Sequence, residues 1–202
     1  MNLIEITYPQ GALEPAARTA IAERIATGLL GTDEIPPETL RRARRMTHVL
    51  FHEAASWSTG DGPVDDPPPF LVTITVPEAW RADVSRPCMG IVRAALRRHD
   101  EARGHVRAGG DVWITVVGIA DGDIGLNGSP ATARDVVNYM TEEYRAAERP
   151  DEDLPDGVVR DPICGMRVRL GPSAITLERD GKTVGFCAVG CRDTYAANET
   201  VA

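Results

Sequence analysis

The string LIEITYPQG, residues 3–11, decides the fold together with the segments that follow it. Apolar and polar side chains alternate at its start, which is the period of a half-buried β-strand, and its Pro and Gly close the strand in a turn. Through residues 14–30 apolar side chains recur at steps of four, which predicts a helix that stops at Gly31. Residues 47–54 form a second β-rich run. Strand, helix and strand predict a β-α-β unit with parallel strands and a right-handed crossover.

The same order of elements returns after a break rich in Gly, Asp and Pro at residues 58–69. Residues 70–76 are a β-rich run, residues 84–107 predict a long amphipathic helix, and residues 111–119 predict another strand. Corresponding strands lie about 65 residues apart, which favours two tandem copies of one β-α-β unit. The glycine-rich strings WSTGDG (residues 57–62) and DGDIGLNG (residues 121–128) each predict a small hairpin at the end of a unit.

The domain organisation follows from a third helix and a linker. Residues 132–145 predict the helix that finishes the first block, and ERPDEDLPDG, residues 148–157, is an acidic, proline-containing linker. We therefore predict an α/β (α+β) protein with a tandem β-α-β domain at residues 1–147. A second, small cysteine-rich domain is predicted at residues 158–202.

Three of the four cysteines fall in two short strings near the end of the chain, DPICGM (residues 161–166) and FCAVGC (residues 186–191). Cys164, Cys187 and Cys191 are placed where two turns and a helix start could bring three thiolates around a soft or borderline metal ion. The segment has too little apolar content for a robust core, so a bound metal would contribute to its folding. Three thiolates suit zinc with an open or exogenous fourth position, or trigonal copper(I).

The fourth ligand is left open by the sequence. No histidine lies in the cysteine-rich segment, so the candidates are Asp161, water, Cys88, a group from another chain, or a histidine of the first block. Cys88 opens a predicted helix, where the helix dipole would lower its pKa, but a buried apolar cysteine is the alternative. The three clustered cysteines could also be reduced thiols that pack as small hydrophobic groups.

Composition excludes several classes of partner. The formal net charge is −8, from 30 acidic and 22 basic residues, which argues against binding to a nucleic-acid backbone. No apolar run approaches the roughly 20 residues that a membrane helix needs, and the N-terminal string lacks the features of a signal peptide. We therefore expect a cytoplasmic protein without a membrane partner. In that compartment clustered cysteines bind metal or react rather than form structural disulfides.

Weaker candidates for catalysis lie in the first block. His48 and His52 project to the same face of the second strand, which would suit a metal or an acid–base pair, although ordinary strand residues are the alternative. A short helix is predicted from the prolines at 36 and 37 to Arg45. Its arginines could bind a carboxylate-bearing substrate or simply form a solvated helix face: Arg41, Arg42, Arg44 and Arg45.

The first block resembles the tautomerase superfamily, the group of 4-oxalocrotonate tautomerase and its fused two-unit relatives. The likeness is carried by residues 4–11, by VLFHE at residues 49–53, and by residues 112–117 with GLNG at residues 125–128. It implies a homotrimer and, if catalysis is retained, an isomerase, decarboxylase or dehalogenase of small unsaturated or keto acids.

The catalytic N-terminal proline of that family is missing. Asn2 stands in its place, so we expect the initiator methionine to stay, and its α-amino group, titrating near 8 when unperturbed, is a poor base at neutral pH. Pro69 occupies the matching place in the second unit, but its nitrogen is an internal amide. Family-type catalysis is therefore doubtful.

The C-terminal segment resembles the YHS domain, a small metal-binding module. The likeness is carried by the Asp-Pro, Cys-Gly-Met and Val of residues 161–168, the Gly-Lys turn at residues 181–182, the Phe-Cys-x3-Cys of residues 186–191, and Tyr195. It implies a few short strands with a helix, and a role in handling zinc, copper or another heavy metal.

The sequence thus predicts a cytoplasmic protein that binds zinc or copper on an oligomeric, tautomerase-like scaffold. Two alternatives remain: a tautomerase-like enzyme with an accessory metal domain, and an accessory factor that supplies metal to a larger protein partner.

Overall fold

The computed structural model describes residues 2–31, 34–64, 66–107, 109–147 and 154–199. The position of Met1 and most of the predicted linker therefore lie outside the described residues. The helices are α1 Pro15–Leu30, α2 Pro37–Arg45, α3 Glu78–Arg103, α4 Ala133–Ala146 and α5 Val189–Glu199. The strands are β1 Asn2–Pro9, β2 Thr47–Ala54, β3 Ser58–Thr59, β4 Gly62–Pro63, β5 Phe70–Pro77, β6 Val112–Ile119, β7 Ile124–Leu126, β8 Ser129–Ala131, β9 Val158–Arg160, β10 Arg167–Arg169, β11 Ile175–Arg179 and β12 Lys182–Phe186.

The chain divides into two compact units. The sheet unit comprises Met1–Gly31, Met46–Val76 and Arg81–Gly118. The cysteine unit comprises Thr32–Arg45, Pro77–Trp80 and Ile119–Ala202. Both units are assembled from separate stretches of chain.

The sheet unit contains a four-stranded sheet in the order β2-β1-β5-β6. Strands β1 and β2 are parallel, with Leu3 opposite His48, as the first β-α-β unit predicts. Strand β5 runs antiparallel to β1, with Leu3 opposite Thr75. The β3–β4 hairpin in this unit and the β7–β8 hairpin in the cysteine unit confirm the two predicted glycine-rich hairpins. The fold class is mixed α+β, with β-α-β units and a small cysteine-rich region near the C-terminus.

One face of the sheet carries the core of this unit. The alternation predicted from the sequence places Ile4, Ile6 and Tyr8 of β1 in the interior, where they pack with α1 and α3 through Ile21 and Leu96. The other side chains of each strand point to the opposite face, which we call the outer face. It holds large apolar side chains with high exposed fractions: Leu50 43%, Leu71 47%, Trp113 65% and Val117 43%.

The predicted bounds of the long helix are wrong at both ends. Helix α3 begins directly after β5 at Glu78, rather than at residue 84, and an acidic residue in the first turn suits the positive end of the helix dipole. Pro87 lies inside this helix, where the sequence pattern places its beginning. The helix ends at Arg103 because Gly104 adopts φ 71°, a left-handed conformation that closes a helix.

The cysteine unit packs three helices with short strand pairs. Helix α4 starts at a capping box, in which Thr132 and Asp135 exchange side-chain and backbone hydrogen bonds. Helix α2 lies against α4, α4 lies against α5, and α5 contacts β11 and β12. Within the described residues, no helix is long and apolar enough to cross a membrane.

Candidate metal centre

Two local structures bring the three clustered cysteines together. Cys164 lies in the turn between β9 and β10, whose strands pair antiparallel. Cys187 follows β12 directly, and Cys191 lies in the first turn of α5. The hairpin of β11 and β12 that the sequence predicts is present, and its register sets Ile175 opposite Phe186 at the end next to Cys187.

The sulfur separations fit a thiolate metal site. The Sγ atoms of Cys164 and Cys187 are 3.3 Å apart, and those of Cys187 and Cys191 are 3.7 Å apart. All four cysteines of the chain are free thiols. With zinc–sulfur bonds of about 2.3 Å, the edge of a tetrahedral site is about 3.8 Å. The separation of Cys187 and Cys191 matches that edge, and the separation of Cys164 and Cys187 is shorter. A carboxylate oxygen of Asp161 belongs to the same group, whose ligand atoms lie within 4.8 Å of one another.

The close contact of the three sulfur atoms shifts their pKa values in opposite directions. Hydrogen bonds with Cys187 and Cys191 lower the pKa of Cys164 to about 3. The hydrogen bond with Cys164 raises the pKa of Cys187 and of Cys191. A bound cation would displace the thiol protons, because the thiolate is the form that binds metal.

Asp161 ties the two cysteine loops to each other. Its Oδ1 accepts hydrogen bonds from the backbone N–H groups of Ile163 at 2.8 Å and Cys164 at 3.3 Å, and its Oδ2 accepts one from Cys187 at 2.9 Å. Its own backbone bonds with Met166 and Gly165 close the turn. The side chain is fully buried, and burial, followed by the charge of Cys164, raises its pKa.

Helices α2 and α4 support the cysteine turn from outside the cysteine-rich segment. The hydroxyl of Thr39 in α2 donates to the carbonyl of Cys164 at 2.9 Å, and this bond is buried. Gly165 adopts φ 80°, and a Cβ there would lie 2.2 Å from the ring of Tyr144 in α4 and 2.5 Å from Pro36. The turn is therefore fitted against these two helices, and only glycine has both the conformation and the space.

Apolar side chains enclose the cluster. Phe186 is buried next to Cys187, and its ring lies 5.4 Å from the ring of Tyr195 on α5. Val137 of α4 and Trp80 pack in the same apolar cluster. The sequence identified the aromatic pair but not the contributions of α4 and Trp80, because nothing in their local pattern indicates a neighbour so distant in the chain.

The other candidate ligands lie elsewhere. Cys88 is buried in the core of the sheet unit, and burial raises the pKa of its thiol. Cys88 is therefore a buried apolar cysteine and not a thiol with a lowered pKa. His48 and His52 are exposed on the outer face, and His52 Nε2 lies 3.1 Å from Glu5 Oε1. Among the described residues, one group of three or more histidine, cysteine or carboxylate side chains could hold a metal ion: Asp161, Cys164, Cys187 and Cys191.

The arginines of α2 are engaged by helix α4. Arg41 forms an ion pair with Glu143, and Arg42 contacts Glu143 at 2.9 Å and Glu142 at 2.7 Å. Arg42 also lies over the ring of Tyr139 at 4.7 Å. Arg45, at the end of α2, is exposed. Arg41 and Arg42 thus already hold carboxylates of their own chain, and their role in binding a substrate stays a prediction.

Comparisons with known proteins find likenesses of structure. No protein-family model and no curated protein matches the chain. It is similar to a fused 4-OT wild-type symmetric trimer, with 17% identity over 64% of this chain and 94% of that chain and a TM-score of 0.47. It is also similar to macrophage migration inhibitory factor from Toxoplasma gondii, with 14% identity over 63% and 98% and a TM-score of 0.44. A macrophage migration inhibitory factor-like protein from Entamoeba histolytica has 11% identity over 64% of this chain and 97% of that chain and a TM-score of 0.44.

Proposed function

We propose that this protein binds a soft or borderline transition metal ion through Cys164, Cys187 and Cys191. The observation that carries the proposal is the convergence of three free thiols from two separate loops, at sulfur separations of 3.3 and 3.7 Å. The carboxylate of Asp161 is buried beside the sulfur atoms and accepts three backbone N–H groups, so it holds together the two loops that carry the thiols.

Zinc or copper(I) is the proposed ion. The thiolate set favours both ions. We further propose that the cysteine-rich segment is a YHS-type module. Its short strand pairs and terminal helix, β9 to β12 with α5, agree with what that resemblance implies.

The proposed location is the cytoplasm, where thiols stay reduced.

Cys187 is the half-buried ligand, whereas Cys164 and Cys191 are buried. Exchange of the ion with a protein partner would therefore start at Cys187, which supports a role in delivering metal.

The proposed scaffold is a homotrimer of tautomerase type. Its support is the outer face, where Trp113 and Leu71 expose large apolar surfaces that a second copy of the chain would cover. Trp113→Glu is expected to dissociate the oligomer, as measured by light scattering. The control is Val106→Glu, at an apolar side chain that is 88% exposed and lies outside the sheet. A monomeric wild-type protein would contradict the trimer.

Elemental analysis tests the metal site. Protein purified without a tag is expected to carry about one zinc or copper ion per chain. Cys164→Ser should lose the ion, whereas Cys88→Ser, a matched control at the fourth cysteine, should keep it. Absence of a transition metal from the wild-type protein, or equal metal occupancy in the two variants, would contradict the proposed metal site.

A further inference from the structure

Asp161 completes a group of four ligating side chains, yet its carboxylate is already engaged. An ionised carboxylate has about four lone-pair sites. Three of them accept the backbone N–H groups of Ile163, Cys164 and Cys187. One site is left on Oδ2, and a cation coordinated there would draw the carboxylate away from the N–H groups that hold the two cysteine loops in place.

We infer that Asp161 is a positioning residue rather than a metal ligand, and that the fourth coordination position of the Cys164–Cys187–Cys191 site is open to an exogenous neutral donor. This inference rests on the proposed metal-binding function. The protein would then supply three ligands and leave one coordination position open, whereas in a structural zinc site the protein supplies all four ligands.

Burial indicates where the open position lies. Asp161, Cys164 and Cys191 are 0%, 3% and 5% exposed, whereas Cys187 is half-buried. Solvent therefore reaches the cluster at the Cys187 side. No other histidine, cysteine or carboxylate of the described residues joins the group, which leaves the fourth position to a donor of another kind.

The charges select the chemical class of the donor. Three thiolates overcompensate a divalent ion by one negative charge, and the buried carboxylate of Asp161 adds a second. An anionic fourth ligand would add uncompensated charge in a low-dielectric site, so a neutral nitrogen or oxygen donor is favoured.

Cobalt(II) loading of the full chain tests the inference, because the visible absorption of cobalt reports its ligand set. We expect a thiolate-to-cobalt charge-transfer band and a saturable shift of the d–d bands when imidazole, a neutral donor, is added. Azide, an anionic donor, should shift the bands less at equal concentration.

Asp161→Asn separates a positioning role from a ligand role. The amide retains one acceptor oxygen but turns an NH2 group toward a backbone N–H, so the variant should bind cobalt roughly 10–100-fold more weakly. Once loaded, it should show the wild-type d–d bands and imidazole response. Asp180→Asn, at a 93% exposed side chain in the β11–β12 turn, is the matched control.

The outcomes are distinct. Absence of the charge-transfer band in wild-type protein would refute the proposed metal site itself. A wild-type band that imidazole does not shift would overturn the inference and leave the metal site intact. A response to imidazole that appears only in Asp161→Asn would identify Asp161 as the fourth ligand. The wild-type titration decides the question even if the variant does not fold.

Discussion

The sheet unit and the cysteine unit are held together in different ways. In the sheet unit, long strands and two helices bury continuous apolar faces, with Ile6 and Phe70 fully enclosed. Around the cysteines, the strands are short. The turn is fixed by backbone N–H groups that donate to the Asp161 carboxylate and by the Thr39 hydroxyl, which donates to the Cys164 carbonyl. Apolar burial tolerates exchange of one hydrophobic group for another, whereas the polar network depends on particular atoms. The difference predicts which substitutions affect stability and which affect metal binding.

Metal removal should separate the two units most clearly. Because the thiol ligands come together only in the folded chain, the free energy of metal binding would also stabilise the fold around the proposed site. A chelator is therefore expected to remove hydrogen-exchange protection from the cysteine turn and α5, while the amides of β1 and β5 stay protected. Equal loss of protection in both units would contradict the comparison.

Ile6→Ala tests whether the sheet unit can lose stability without loss of metal. Ile6 is fully buried, and its truncation is expected to lower the free energy of unfolding by about 2–5 kcal/mol. Urea denaturation measures this loss, and metal content per folded chain should stay at the wild-type value. Leu50→Ala, at a side chain on the outer face that is 43% exposed, is the control and should cost less. Loss of metal from folded Ile6→Ala protein would show that the two units do not respond independently.

Gly165→Ala sharpens the comparison within the cysteine unit. Positive φ costs a non-glycine residue about 1–2 kcal/mol, and here the new Cβ would also overlap the Tyr144 ring. Gly181→Ala is the matched control, since Gly181 has φ 73° with no atom within 4 Å of the added Cβ. Metal affinity from competition with a chromophoric chelator should fall in Gly165→Ala and stay near wild type in Gly181→Ala. Similar affinities in both variants would mean that the fit against α4 is unimportant.

Thr39→Val should have the smallest effect of the four. It removes the hydroxyl that donates to the buried Cys164 carbonyl, and an unsatisfied buried acceptor costs about 1–3 kcal/mol. The same competition measurement should show weaker metal binding. Thr19→Val, which removes an exposed hydroxyl bond to the Pro15 carbonyl within α1, should leave metal binding unchanged. An unaltered metal affinity in Thr39→Val would show that α2 does not contribute to metal binding.

Local patterns in the sequence predict much of the fold and the centre of the site. Alternation in β1 and the four-residue steps in α1 are confirmed, because each depends on which side chains face one core. The cysteine spacing identifies three thiols that the structure brings together. The support of the turn could not be predicted in this way: Thr39 is 125 positions from Cys164, and its bond depends on tertiary packing alone.

The fit of α2 and α4 against the cysteine turn has a consequence for how this protein can be cut or recombined. A fragment beginning at residue 158 would keep the three clustered thiols but lose Thr39, Pro36 and Tyr144, the partners that shape the turn. Transplanting the cysteine-rich segment alone into another protein would transfer its ligands without the side chains that pack against the turn and fix its conformation. A working graft would need to carry the three separate pieces of chain that form the cysteine unit, because the cysteine turn depends on more than the last 45 residues.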